Sequence, residues 1–266
     1  MRRAWEEFET RLSRAGELSD KRRASILALG TPGYSFETKP AKRPKRGTSR
    51  IGGCPDLPAD TSWPECYGWP LVFLAQLNLS ELHAVSPSVL PRRGMLFFFG
   101  YFTPDGEAMW IRPAKEEWRV IYTPKHSVRG WHPGVPEMFR LPAARIVPRA
   151  HISLPDSALP KLARLRLSAD EREAYDQVDE ANVNRILGCA RACQWPVGAS
   201  WAEAIETKSQ THEARLKSGQ AFQHLLTLRG PSVEPVARDG RIYFGLKARE
   251  LSAGRFDRAV MVEQGS

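Results

Sequence analysis

Arg50-Ile51-Gly52-Gly53-Cys54-Pro55 and Arg185-Ile186-Leu187-Gly188-Cys189-Ala190 agree at four of six positions, and the motifs downstream of each keep the same order. Trp63-Pro64 answers Trp195-Pro196, Leu74-Ala75-Gln76-Leu77 answers Leu225-Leu226-Thr227-Leu228, and Gly94-Met95-Leu96-Phe97-Phe98 answers Gly240-Arg241-Ile242-Tyr243-Phe244. The offset between halves runs 135, 132, 151, 146, and a helix inserted in the second half accounts for the jump. This order implies an ancient duplication. Two units are too few for a solenoid, which needs at least three to bury a continuous core. The expected fold is therefore α+β and strand-dominated, with two pseudo-repeated sheet-forming halves packed as one body and helices at the periphery.

Working outward, Leu71–Leu79 and Gly94–Phe102 are apolar, aromatic runs bounded by Pro and Gly, the pattern of buried strands. Shorter strands are expected over 108–112 and 118–123, and again over 222–228, 240–247 and 258–263. Alternation in the first run places Val72, Leu74, Gln76 and Asn78 on one face, a rim or a cleft, and a buried Gln76 must find hydrogen-bond partners, as structural support for the Gly52-Gly53 turn or as a binding contact. Ser168 with Glu171, and Ser200 with Glu203, have the form of capping boxes and predict helices over 169–181 and 201–217. Near the N-terminus, Trp5, Phe8, Leu12 and Ala15 make one helical stripe, and a second helix is expected over 20–29.

The expected organisation is an N-terminal helical segment 1–37, a basic, Pro-containing arm 38–50, and a main domain 51–266. That domain divides into a first half about 51–154, connecting helices about 155–183 and a second half about 184–266.

Charge decides how the arm is read. The chain carries 39 Lys and Arg against 30 Asp and Glu, a net +9. Residues 38–50 hold Lys39, Lys42, Arg43, Lys45, Arg46 and Arg50 with no acid, which is +6, while 1–37 sums to +1 and 51–266 to +2. The excess belongs to one segment rather than to a face of the fold. Two readings stand for Lys42, Arg43, Lys45 and Arg46: a solvated loop, or an arm whose cations release counterions on meeting phosphates.

The longest apolar run is far short of the roughly 20 residues a membrane helix needs. The first 30 residues carry five acids and no uninterrupted apolar stretch, which argues against a signal peptide. Four cysteines are few for a stapled secreted scaffold, so a reducing, cytoplasmic compartment is expected, with no membrane partner.

Gly52-Gly53-Cys54-Pro55-Asp56-Leu57-Pro58, Trp63-Pro64, Leu74–Leu77, Leu90-Pro91, Gly94 and Leu96–Phe99 resemble the YwqG-like family, a bacterial domain family of unknown function. The likeness resumes at Arg185–Gly188, Asp239–Phe244 and Gly254–Phe256 and covers roughly 48–262. It brings no catalytic residues. A suspected association with toxin and immunity loci implies a protein-binding role. The chain departs from the family pattern at Cys189-Ala190 and at Thr227, which replaces the second glutamine; a symmetric glutamine pair would be broken here.

No nucleophile elbow, Walker loop, dinucleotide fingerprint or His-x3-His pattern is present. Cys189-x3-Cys193 has admissible zinc spacing, but the cysteines are more simply small buried hydrophobes, and no catalytic, metal or cofactor site is assigned. The expectation is a non-enzymatic module that binds a protein through Gly52, Gly53, Pro55, Trp63, Gln76 and Trp195. The alternatives are a nucleic-acid-associated protein acting through the basic arm, and an enzyme with a dispersed site.

Overall fold

A computed structural model describes residues 1–16, 18–102, 116–124, 134–156, 159, 162, 164–179, 183–206, 211–234, 236 and 240–265. Its core is a ten-stranded sheet built from β1 (Thr31–Pro40), β2 (Arg50–Ile51), β5 (Val72–Asn78), β6 (Met95–Gly100), β7 (Trp118–Thr123), β8 (Ala144–Ser153), β9 (Asn184–Leu187), β10 (Phe222–Arg229), β11 (Arg241–Lys247) and β12 (Val260–Gln264). A separate hairpin pairs β3 (Glu65–Cys66) with β4 (Trp69–Pro70). The strand order is β12-β11-β10-β9-β1-β8-β2-β5-β6-β7, antiparallel throughout. The fold is α+β and strand-dominated, as expected.

β1 precedes β2 in the chain but pairs with β9, while β8 precedes β9 but pairs with β2. β1 and β8 thereby form the central ladder, with β9 on the outer side of β1 and β2 on the outer side of β8. β1 is not among the strands the sequence pattern predicts, and it carries Pro32, Gly33 and Pro40. Both prolines lie near its ends, where a missing N–H is tolerated. Pro148 of β8, another unanticipated strand, sits beyond the end of β2, where β8 has one strand neighbour.

The sheet curls until its edges meet. Trp118 of β7 donates its indole N–H to the Ala259 carbonyl just before β12 (2.6 Å), and Tyr122 packs on Phe256 at 5.5 Å between ring centroids. Between the two ends Phe98 touches Phe244, and both are fully buried.

Seven helices lie outside the sheet among the described residues: α1 (Arg2–Arg14), α2 (Asp20–Leu27), α3 (Leu79–Val85), α4 (Ala169–Val178), α5 (Val197–Ile205), α6 (His212–Gly219) and α7 (Ala248–Ser252). The stripe of α1 buries Phe8 and Leu12 in a second apolar cluster with Ile26, Tyr175 and Ile152. The Ser168–Glu171 capping box starts α4.

Three expectations are revised. Ser200 does not cap a helix: α5 starts after Pro196, and the Ser200 hydroxyl instead accepts from Gln264 at 3.2 Å. One continuous helix over 201–217 is replaced by α5 and α6, the latter capped by Thr211. Their backbones touch at Gly198 and Gly219, where an added Cβ would meet the other helix at 2.5–2.7 Å. Finally, a bulge between Phe73 and Ala75 breaks the alternation in β5, and Gln76 is fully buried rather than at a rim. The strand expected over 108–112 lies outside the described residues.

Candidate functional site

Arg50 lies directly across the ladder from Gln76. Its guanidinium grips Asp56 in a two-pronged pair, Nη1 to Oδ2 and Nη2 to Oδ1, both at 2.9 Å, and also donates to the Cys54 carbonyl. Gln76 donates through Nε2 to Asp56 Oδ2 (2.8 Å) and to the Thr48 carbonyl (2.9 Å), and its Oε1 accepts the Asp56 N–H (2.9 Å). Its two donors and its acceptor are thus engaged within the protein. Burial alone would push the Asp56 carboxyl up, but hydrogen bonds from Arg50 and Gln76, the Arg50 charge and the Gly47 N–H outweigh it and hold the group below its ordinary value.

Gly52 and Gly53 carry the chain away from this node at φ +58° and +65°, and a Cβ on Gly52 would lie 2.4 Å from the Pro142 carbonyl oxygen. Pro55 is buried beside them. Gly52, Gly53, Pro55 and Gln76 are therefore brought together. Trp63 is buried elsewhere, its indole N–H on the Leu71 carbonyl and its ring edge-on to Phe99. Trp195 belongs to the second half, is 62% exposed, and meets His212 edge-on.

The node supports a surface feature. Residues 41–48 cross over it from β1 to β2 with Lys42, Arg43, Lys45 and Arg46 exposed. Asp56 accepts the Gly47 N–H (2.7 Å), Asn78 donates to the Gly47 carbonyl (2.6 Å), Gln76 holds Thr48, and Glu81 accepts the Ser49 N–H (2.8 Å). The buried motif fastens the basic loop from below.

A related node occupies the second half. Arg185 pairs with Asp179 through two bonds of 3.0 and 2.8 Å and donates to the Cys189 carbonyl (3.0 Å), as Arg50 does to that of Cys54. Here the carboxylate stands six residues before the arginine instead of six after it. Thr227 faces Arg185 in register. His224 bonds the Leu187 carbonyl through Nδ1 (2.8 Å) and the Thr227 hydroxyl through Nε2 (2.7 Å), and stacks on Trp201. Burial, with the Arg185 charge adding to it, lowers His224 to about 4 and keeps the ring neutral.

Beside this second node opens a cavity of about 800 Å3, within the range of small-ligand and peptide sites. Tyr34, Leu187, Val197, Trp201 and Phe222 form its apolar wall, Cys189 and His224 also line it, and Val89, 69% exposed, stands among its lining residues. Among the described residues no three His, Cys, Asp or Glu side chains group as metal ligands, and no helix is long and apolar enough to cross a membrane.

The model of a domain of unknown function, DUF1963, matches residues 49–264. The chain belongs to the DUF1963 family. The YwqG-like resemblance is consistent with it. No curated protein matches the chain. The DUF1963 match begins at Ser49 and leaves β1 outside, although β1 lies hydrogen-bonded between β8 and β9.

The cavity is not legible in the sequence. Its walls come from β1, the end of β9, α5, α6 and the start of β10, and no local pattern joins Tyr34, Cys189, Val197 and Phe222. The Arg50–Asp56 pair has a signal in the sequence, the Arg-Ile and Gly-Cys steps common to 50–54 and 185–189.

Proposed function

We propose that this DUF1963 protein is a non-enzymatic binding module that takes an apolar segment of a protein partner into the cavity between Tyr34, Trp201 and Phe222. The observation that carries the reading is the cavity itself, about 800 Å3 and walled largely by apolar side chains. One feature supports binding over catalysis: both nitrogens of His224 are committed, to Leu187 and Thr227. A toxin is the partner class suggested by the resemblance. Action in a reducing cytoplasm is supported by the low cysteine content, four in 266 residues.

We also infer that the halves descend from one duplicated unit. Supporting this, Ala75 faces Phe98 and Leu226 faces Phe244, each one step past a bulge, at Phe73/Ala75 and His224/Leu226. The sheet order also runs alike from both ends, with β2 matching β9, β5 matching β10, and β6 matching β11.

A photoreactive residue at Val89, used in the native host, tests the binding reading. The expected result is a salt-resistant, nuclease-insensitive protein crosslink that Leu216→Glu in the cavity wall abolishes. No crosslink, or one indifferent to that substitution in a folded variant, overturns it.

A further inference from the structure

Some exposed cations elsewhere on the molecule stand beside carboxylates: Arg2 with Glu6, Arg3 with Glu7, Arg149 with Glu37. One face differs. Lys42, Arg43, Lys45 and Arg46 project from the 41–48 loop. Lys39 and Arg145, both exposed, lie directly opposite each other across the β1–β8 ladder, where like charges repel. Arg92 and Arg93 are exposed on the turn before β6, joined to the loop through Asn78 and Ser80: Asn78 donates to the Gly47 carbonyl, and the Ser80 hydroxyl to that of Arg92 (3.4 Å). None of these eight forms an ion pair among the described residues.

The carboxylates that touch the loop offset this charge only in part, through Glu81. Asp56 is turned inward and neutralised by Arg50, and Glu81 accepts the Ser49 N–H. Like charges crowded on a loop would ordinarily let it fray, yet Asp56, Gln76, Asn78 and Glu81 fasten Gly47, Thr48 and Ser49 from below. A stretch that reads as a solvated arm is a presented, fixed surface.

We propose that this face binds the phosphodiester backbone of a nucleic acid. Five of its eight cations are arginines, whose planar forks match phosphate oxygens in pairs. Because the loop is already fastened, less ordering entropy opposes binding than for a free arm. Tyr122, 37% exposed, donates to the Arg93 carbonyl at 3.1 Å and sets an aromatic ring at the patch edge, where a base can stack. A membrane surface fits less well, because it needs a projecting apolar anchor, and the loop's apolar residues Ala41 and Pro44 are half-buried. The patch is separate from the cavity, so each reading stands or falls alone.

Anisotropy titrations of the full chain with labelled single-stranded RNA, single-stranded DNA and duplex DNA, over a series of salt concentrations, test the proposal. One variant combines Lys42→Gln, Arg43→Gln, Lys45→Gln and Arg46→Gln, a second combines Arg92→Gln and Arg93→Gln, and Arg2→Gln with Arg3→Gln is the charge control. Wild type is expected to bind at least one polymer. Both patch variants should lose about tenfold or more in affinity, and each phosphate contact removed should flatten the log–log salt slope by about 0.9 on duplex or 0.7 on single strands. The control should move neither quantity. Absence of binding at low salt, an equal loss in the control, or binding to phosphatidylserine vesicles without nucleic-acid binding overturns the proposal.

Discussion

Phe98 and Phe244 meet edge-on, with ring centroids 5.0 Å apart and planes at 67°, and so join β6 to β11 across the inside of the curled sheet. Phe98 lies opposite Ala75 and Phe244 opposite Leu226, each one step past a bulge. Truncating either ring leaves a void that both ends of the sheet must close around. Phe98→Ala and Phe244→Ala are each expected to cost about 3–5 kcal/mol. The double-mutant cycle should return a coupling of about 0.5–1.5 kcal/mol, read by urea unfolding. Full additivity would show that the contact is incidental.

Asp56 ties stability to pH in the acid range. Its carboxyl is held below the ordinary value, so the stability it contributes is complete above about pH 3.9, the unfolded value, and is lost as pH falls through the folded value. Asp56→Asn leaves the Arg50 guanidinium buried without its counter-charge and is expected to cost about 3–5 kcal/mol at neutral pH. The remaining protein should show a shallower loss below pH 4 than wild type, as measured by chemical denaturation across that range.

His224 acts in a different pH window. Its folded value of about 4 lies below the ordinary 6.5, so the unfolded chain takes up a proton first and stability falls as pH drops from 6.5 toward 4. The size of that fall is on the order of 3 kcal/mol. His224→Phe should abolish the slope. At pH 7 it should cost about 1–3 kcal/mol, because the Leu187 carbonyl loses its donor. A slope retained in the variant would assign the titration to another group.

Glu263 reverses the sign. Burial raises its carboxyl from 4.5 to about 7, and its Oε2 finds no hydrogen-bond partner among the described residues. Its contribution is complete below pH 4.5 and disappears as pH rises through 7, because the unfolded chain ionises first. Glu263→Gln is therefore expected to stabilise the protein at pH 8, by about 1–3 kcal/mol, and to leave it nearly unchanged at pH 4. Thermal melts at the two pH values distinguish this from a general packing effect.

The basic segment shows how far local reading reaches. Like charges and prolines at 38–50 implied a solvated arm or loop, and Lys42, Arg43, Lys45 and Arg46 are indeed exposed. The hydrogen bonds that fasten the loop come from Asp56, Gln76, Asn78 and Glu81, up to about thirty residues away, and no local pattern announces them. Gln76 drew notice as a polar residue in an apolar strand, and the structure explains it as the brace between Asp56 and Thr48.

The amino-acid sequence by itself determined the strand-rich class, the buried runs of β5, β6, β10 and β11, the N-terminal stripe and the Ser168–Glu171 helix start. These features arise from side-chain period and capping chemistry, which act within a few residues. Only the tertiary structure decided that β1 pairs with β9 and β8 with β2, that α5 and α6 are separate helices joined at Gly198 and Gly219, and that a cavity opens beside Trp201. Those outcomes depend on long-range ladder pairing and backbone approach, where the deciding partner lies tens to more than a hundred residues away.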